Sequence, residues 1–205
     1  MELAVYILLL ATSVVGLTFI VERAFALRWN RVVPSVVVAA VDSCHARGDV
    51  PMLRRVCEQH KSPLSRLLLV AADRLNWPKA DNVDALQTRA RHEIVRLERG
   101  LVVLEIIVGI APLLGLVGTI VGMMTAFKEL GPAGVTEAAK LAHGIATLLQ
   151  ATLIGLLIAI PSLIFWSYYS KKVEILAVEL ETLCDEFVRR QYRETPLEAP
   201  ASAKA

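Results

Sequence analysis

Between Gly144 and Tyr169 the chain carries no charged residue, and Leu101 to Phe127 is interrupted only by Glu105. At 1.5 Å per helical residue, each stretch exceeds the roughly 30 Å hydrocarbon core of a bilayer. A third run, Leu3 to Val21, is equally apolar and just long enough to cross. A backbone in hydrocarbon must satisfy its own hydrogen bonds, so three such runs demand three helices. Hydrophobic residues make up 55% of the 205 residues, more than a soluble domain needs. The expectation is an all-α integral membrane protein with three transmembrane helices.

The first run reads as a retained span. No positive charge precedes it, no small-residue cleavage site follows it, and "ERAFALRWNR" comes directly after, all against a cleaved signal peptide. Arg23, Arg28 and Arg31 follow span one, Arg91, Arg96 and Arg99 precede span two, and Lys171 and Lys172 follow span three. The turn between spans two and three has only Lys128 and Lys140. The bias of basic residues towards the cytoplasm puts the N-terminus outside and both charged blocks inside. The expected organisation is span one at 1–21, a cytoplasmic helical region at 22–100, span two at 101–127 and a short periplasmic loop at 128–143. Span three follows at 144–169, then a cytoplasmic C-terminal helix at 170–193 and a disordered tail at 194–205.

The cytoplasmic block reads as helices. "PSVVVAAVDSCHAR" is expected to end at Gly48, Asp49 to cap "VPMLRRVCEQH", and Ser62 followed by Pro63 to open "LSRLLLVAADRL". A further helix from near Asp81 is expected to run into span two with no breaker except Gly100. Val173, Leu176, Leu180, Leu183 and Phe187 recur at helical spacing and carry span three into a cytoplasmic extension.

Span two is unusual for its small residues. Ala111, Gly115, Gly118, Thr119, Gly122 and Ala126 fall on one side of a helical wheel, and bulky residues cover the other. Glycine costs about 1 kcal/mol in a helix interior, so a small face implies close helix approach. It serves either packing within one subunit or a lumen shared by several. In span three, Thr152, Gly155 and Ala159 share one side, while His143, Thr147, Gln150 and Pro161 share the other. A buried threonine can satisfy its hydroxyl on its own helix, whereas the Gln150 amide needs a helix partner or a watery cavity. Glu105, near the cytoplasmic end of span two, reads as an interfacial or subunit-contact residue.

No G-x-S-x-G, P-loop or H-E-x-x-H motif is present, and the four histidines are scattered. Cys44, Cys57 and Cys184 form no CxxC pair. No catalytic residue, metal site or cofactor is expected. A net charge of +2, with no basic cluster among aromatics, gives no nucleic-acid surface. Between Ile106 and Phe127, and between Gly144 and Tyr169, there is no Asp, Glu, His, Lys or Arg. If protons cross here, their carrier must come from another chain.

The segments "LEIIVGIAPLLGLVGTIVGMMTAF" and "GIATLLQATLIGLLIAIPSLIFWSYYSKKVE" together resemble the paired motifs of the ExbB/TolQ/MotA family of ion-driven motor subunits. The resemblance is close over residues 101–175, and the N-out three-span layout and the "ER" after span one extend it to most of the chain. The length resembles the ExbB/TolQ branch, since MotA subunits are longer and have four spans. The resemblance implies a homo-oligomeric ring of five copies in the bacterial inner membrane. Inside it stand two helices of an ExbD/TolR-like single-span partner that carries an intramembrane aspartate. Ion flow through this assembly would drive work in the periplasm through a TonB- or TolA-like protein. Thr119 and Thr152 match the family's pore threonines, with Gly115, Gly122 and Gly155 expected to line the path beside them. Thr147, Gln150 and Glu105 are secondary polar candidates, and Thr147 departs from the glutamate of many relatives. A proton-driven motor, a sodium-driven motor and a non-conducting membrane scaffold all remain open at this point.

Overall fold

The structure is a computed structural model that describes residues 2–129 and 138–193, with side chains described for 3–125, 127 and 149–193. Of the outer loop expected at 128–143, residues 128–129 and 138–143 are helical and 130–137 lie outside the described residues, as do the tail expected at 194–205 and the side chains of His143 and Thr147. Eight α-helices follow in order among the described residues. They are α1 (Glu2–Ala26), α2 (Trp29–Val32), α3 (Ser35–Ser43), α4 (Val50–Gln59), α5 (Pro63–Asp73), α6 (Lys79–Glu98), α7 (Leu101–Glu129) and α8 (Ala138–Arg193). Three helices, α1, α7 and α8, are long and apolar enough to cross a membrane. The chain divides into two compact units, Met1–Phe25 with Glu98–Lys171, and Ala26–Leu97 with Lys172–Ala205.

The first unit is held by close contact between α7 and α8. A Cβ added to Gly155 would stand 2.5 Å from the Ala111 carbonyl oxygen, and one added to Gly115 would stand 2.8 Å from both the Ala151 carbonyl oxygen and the Thr152 Cα. Gly118 has Ala151 Cβ at 3.0 Å from the same notional position. No described glycine has a positive φ, so these glycines supply space and not backbone freedom. Ala111 facing Gly155 and Gly115 facing Ala151 set the two helices antiparallel. The driving force in lipid is van der Waals packing of small residues, because burying apolar surface gains nothing there.

Helix α1 packs along one side of this pair. Val5 reaches Gly118, and Gly16 meets Ile107 and the Ser162 hydroxyl. The Tyr169 hydroxyl donates to the Ile20 carbonyl at 3.0 Å. Gly100, between α6 and α7, lies so close to the Arg23 guanidinium that any Cβ there would collide with it. Helix α6 stops at Glu98, and a turn at Arg99–Gly100 precedes α7, at the one glycine that interrupts the run expected to lead into span two.

The second unit is a helical assembly of α2 to α6 with the lower part of α8. Val173, Leu176, Leu180, Leu183 and Phe187 are all buried, as their spacing predicts. The Ser62 hydroxyl accepts from the Ser65 amide and caps α5, with Pro63 as its first residue. Two expectations fail around Gly48. Helix α3 ends at Ser43, and Arg47–Asp49 form a short 3-10 turn. Asp49 does not cap α4 through its side chain. Its carboxylate turns back to accept from the His45 and Ala46 amides at 3.2 and 3.0 Å, and so closes the loop.

Several polar groups buried in this unit are paired, within α6 or across helices. Glu93, 2% exposed, accepts from Arg66 at 2.9 Å and pairs with Arg89 at 3.2 Å. The Asn82 amide donates to the Ala71 carbonyl at 3.1 Å and to the Tyr192 hydroxyl at 3.2 Å, and that hydroxyl donates to the Trp77 carbonyl at 2.8 Å. Removing Glu93 would leave two partly exposed guanidinium groups without their shared carboxylate partner.

One substitution should act with opposite signs at two glycines of the first unit. Gly155→Ala pushes a methyl into a backbone carbonyl and should cost about 1–3 kcal/mol of stability. Gly109→Ala meets open space and gains helix propensity, so it should be neutral or stabilising. Thermal unfolding of the detergent-solubilised variants measures both, and equal effects would refute the packing role of Gly155.

A second prediction concerns thiols. Burial pushes Cys57 up to about 11 and Cys184 up to about 12. The folded state thus holds both protonated above the unfolded value of roughly 8.5, so this stabilisation is complete below that pH and is lost as pH rises towards 11. Maleimide labelling of Cys57 and Cys184 in the native protein should stay slow up to about pH 9, where an unfolded chain reacts readily.

Candidate functional site

The intramembrane polar residues are distributed by the α7–α8 contact. Thr119 is 7% exposed and its hydroxyl donates to the Leu116 carbonyl at 2.7 Å, which satisfies it within α7. Thr152 is half-buried, with its backbone against Gly115. Gly115, Gly122 and Gly155 are buried. Gly115 and Gly155 have α7–α8 backbone against them within one chain, so packing inside the subunit uses part of the small face.

The wheel shows which edge each residue occupies. Thr119 lies about 60° from Gly122 on α7, and Thr152 about 60° from Gly155 on α8, both in the same rotational sense. Because the helices are antiparallel, equal rotation carries both threonines to the same edge of the pair. Residues that meet α1 lie on the other edge. Gly118 and Ile107 are about 100° and 120° round α7 from Thr119, and Ser162 and Tyr169 about 80° and 100° round α8 from Thr152. One edge is therefore covered by α1, and both threonines lie towards the other, Thr119 buried and Thr152 half-buried.

Gln150 is exposed about 160° round α8 from Thr152 and does not join the threonines. Glu105 is exposed on α7, about 40° from Thr119 and one helix end away from it. Sequence reasoning missed the part played by α1. Gly16 in "SVVGL" and Ser162 after Pro161 were the only signals of a three-helix contact, and neither stands out from other small residues in a span.

Grooves mark both units. One of about 560 Å³ in the first unit lies between α1 and α8, lined by Leu9, Leu17, Ile158 and Pro161 among others. The second unit has one of about 410 Å³ with a floor that includes Leu67, Leu86 and Leu180, and with Arg91 and Glu181 also lining it. Among the described residues, no group of three or more His, Cys, Asp or Glu side chains could hold a metal ion.

Comparison with known proteins agrees with this architecture. The chain is 29% identical over 176 residues to a Methanothermobacter thermautotrophicus protein named as a biopolymer transport protein ExbB homolog. It is 31% and 28% identical over 196 and 199 residues to two Synechocystis proteins named as ExbB-like biopolymer transport proteins. These matches cover 84%, 87% and 93% of this chain, and 62%, 74% and 92% of the respective relatives. Residues 59–182, which include α7 and most of α8, match the MotA/TolQ/ExbB proton channel family, and the chain, with its three membrane-crossing helices, belongs to that family.

Proposed function

We propose that this protein is the ring-forming subunit of a proton-driven motor complex in a bacterial inner membrane, converting ion motive force into work on a periplasm-spanning partner of TonB or Tol type. Its family membership implies ion-driven energy transduction of the biopolymer-transport kind. The observation that carries the more specific reading is that Thr119 and Thr152 lie towards the same edge of the α7–α8 pair, the one away from α1. Five copies turned with this edge inward enclose a lumen lined by hydroxyls, and α1 stands outside it.

The chain supplies no titratable group along that lumen between Ile106 and Phe127 or between Gly144 and Tyr169. A proton carrier therefore comes from the partner. An aspartate on a single-span ExbD/TolR-like helix, held in the lumen beside Thr119 and Thr152, fills this role. The threonine hydroxyls donate to it when it is ionised and accept from it when it is protonated. Orientation follows the basic residues, with the N-terminus in the periplasm and the second unit in the cytoplasm.

Topology is tested by single cysteines in intact cells. An impermeant thiol reagent should label a cysteine at Gly134 and one beside Met1, and should leave one at Lys79 untouched. Labelling at Lys79 overturns the orientation.

The ion path is tested by three variants. Thr119→Val and Thr152→Val keep the shape but remove the hydroxyl, and should abolish motor output while the oligomer persists. Gln150→Leu, on a different side of α8, should weaken the oligomer instead. If both valine variants work normally and Gln150→Leu assembles without working, the path runs along the Gln150 side.

A further inference from the structure

We propose that Glu105 selects and concentrates cations at the cytoplasmic mouth of the ion path; this rests on the ring reading above. Helix α7 has three sides. Ile107, Ala111, Gly115 and Gly118 are buried against α1 and α8. The far side, with Ile106, Ile110, Leu113, Val117 and Met124, is exposed and wholly apolar, as a lipid-facing surface must be. Between the two lies the edge away from α1, where Thr119, Pro112 and Glu105 fall within about 40° of one another, bordered by the exposed Leu116 and Met123.

The level of Glu105 follows from the helix contacts. Ala111 lies against Gly155 and Gly115 against Ala151, so stepping six residues back from Ala111 brings Glu105 level with about Pro161 on α8. That is roughly 6 Å inside the aromatic cluster that begins at Phe165 and includes Tyr168 and Tyr169. Aromatic side chains of this kind sit at the headgroup level. Glu105 is therefore within the apolar slab, about 21 Å along the axis from Thr119.

The side chain is exposed, and among the described residues it makes no ion pair and no side-chain hydrogen bond. An unpaired carboxylate at that depth is costly in hydrocarbon, and it has few choices beyond water or another chain. On the threonine edge it faces the lumen. Each copy then brings one carboxylate to the same depth, and a ring of acidic side chains raises the local cation concentration and repels anions. The partner's carboxyl near Thr119 would exchange with this enriched supply. The ligand is a monovalent cation, either hydronium or sodium.

The experiment uses the full complex of chain and partner in vesicles. Oligomer state is measured alongside initial proton uptake with an enclosed pH dye, and sodium uptake is measured in parallel runs. Glu105→Gln should keep the ring and lower uptake on the order of tenfold at about 0.01 M salt, with the deficit closing near 1 M as screening removes the field. Glu105→Asp should restore most of the low-salt rate, and the run that responds identifies the ion. Wild-type uptake by Glu105→Gln at low salt, a deficit that does not depend on salt, or loss of the ring overturns the proposal. If the wild-type complex forms no ring or takes up neither ion, the motor reading fails first and this inference falls with it.

Discussion

The contact of Gly115 and Gly155 with the facing backbone is the constraint on which the first unit depends. In hydrocarbon a helix pair gains nothing by hiding leucine, so affinity comes from how near two backbones can approach. A notional Cβ at Gly155 lies 2.5 Å from the Ala111 carbonyl oxygen, which shows that the approach is at its limit. This contact sets the antiparallel level of α7 against α8. It also sets the rotation of each helix, and hence which residues are left at the edges.

The placement of the polar residues in the spans follows from that rotation. With the small residues committed to packing, the threonines come to lie at the border of the contact, and α1 occupies the opposite border through Val5, Gly16 and Ile20. A span that used leucine at Gly115 would keep its hydropathy and lose the edge. The polar residues divide accordingly, with Thr119, Thr152 and Glu105 on one edge and Gln150 elsewhere. A single small face can thus serve packing at its centre and a hydroxyl-lined surface at its margin.

The second unit is stabilised by different means. It has a conventional apolar core of Leu64, Leu67, Leu68, Leu176 and Phe187, and it places Glu93 between Arg66 and Arg89. Burying a carboxylate seldom adds net stability, but a shift of α5 against α6 would strip the Arg66 partner from Glu93, which penalises alternative registers. The Asn82–Tyr192 bond joins α6 to the end of α8 in the same manner. Apolar packing supplies the cohesion, and these pairs specify which faces meet.

Much of this was legible in the chain itself. Charge-free runs determine the three spans, because hydrocarbon tolerates only self-satisfied backbone. The buried stripe from Val173 to Phe187 and the Ser62 cap depend on local periodicity and local hydrogen bonding, and both are present as expected. Local signals misled at Gly48 and Asp49, where the Asp49 carboxylate bonds backwards to the His45 and Ala46 amides and does not cap forwards. They marked Gly100 as the one breaker before span two but not its neighbour, the Arg23 guanidinium, which comes from a distant part of the chain. The same limit applies to the site. The sequence determined that Thr119 and Thr152 lie beside small residues on their own helices. Only the tertiary structure decided that they share an edge, because that depends on the relative level and rotation of α7 and α8 and on which side α1 packs, and a wheel drawn for one helix contains neither.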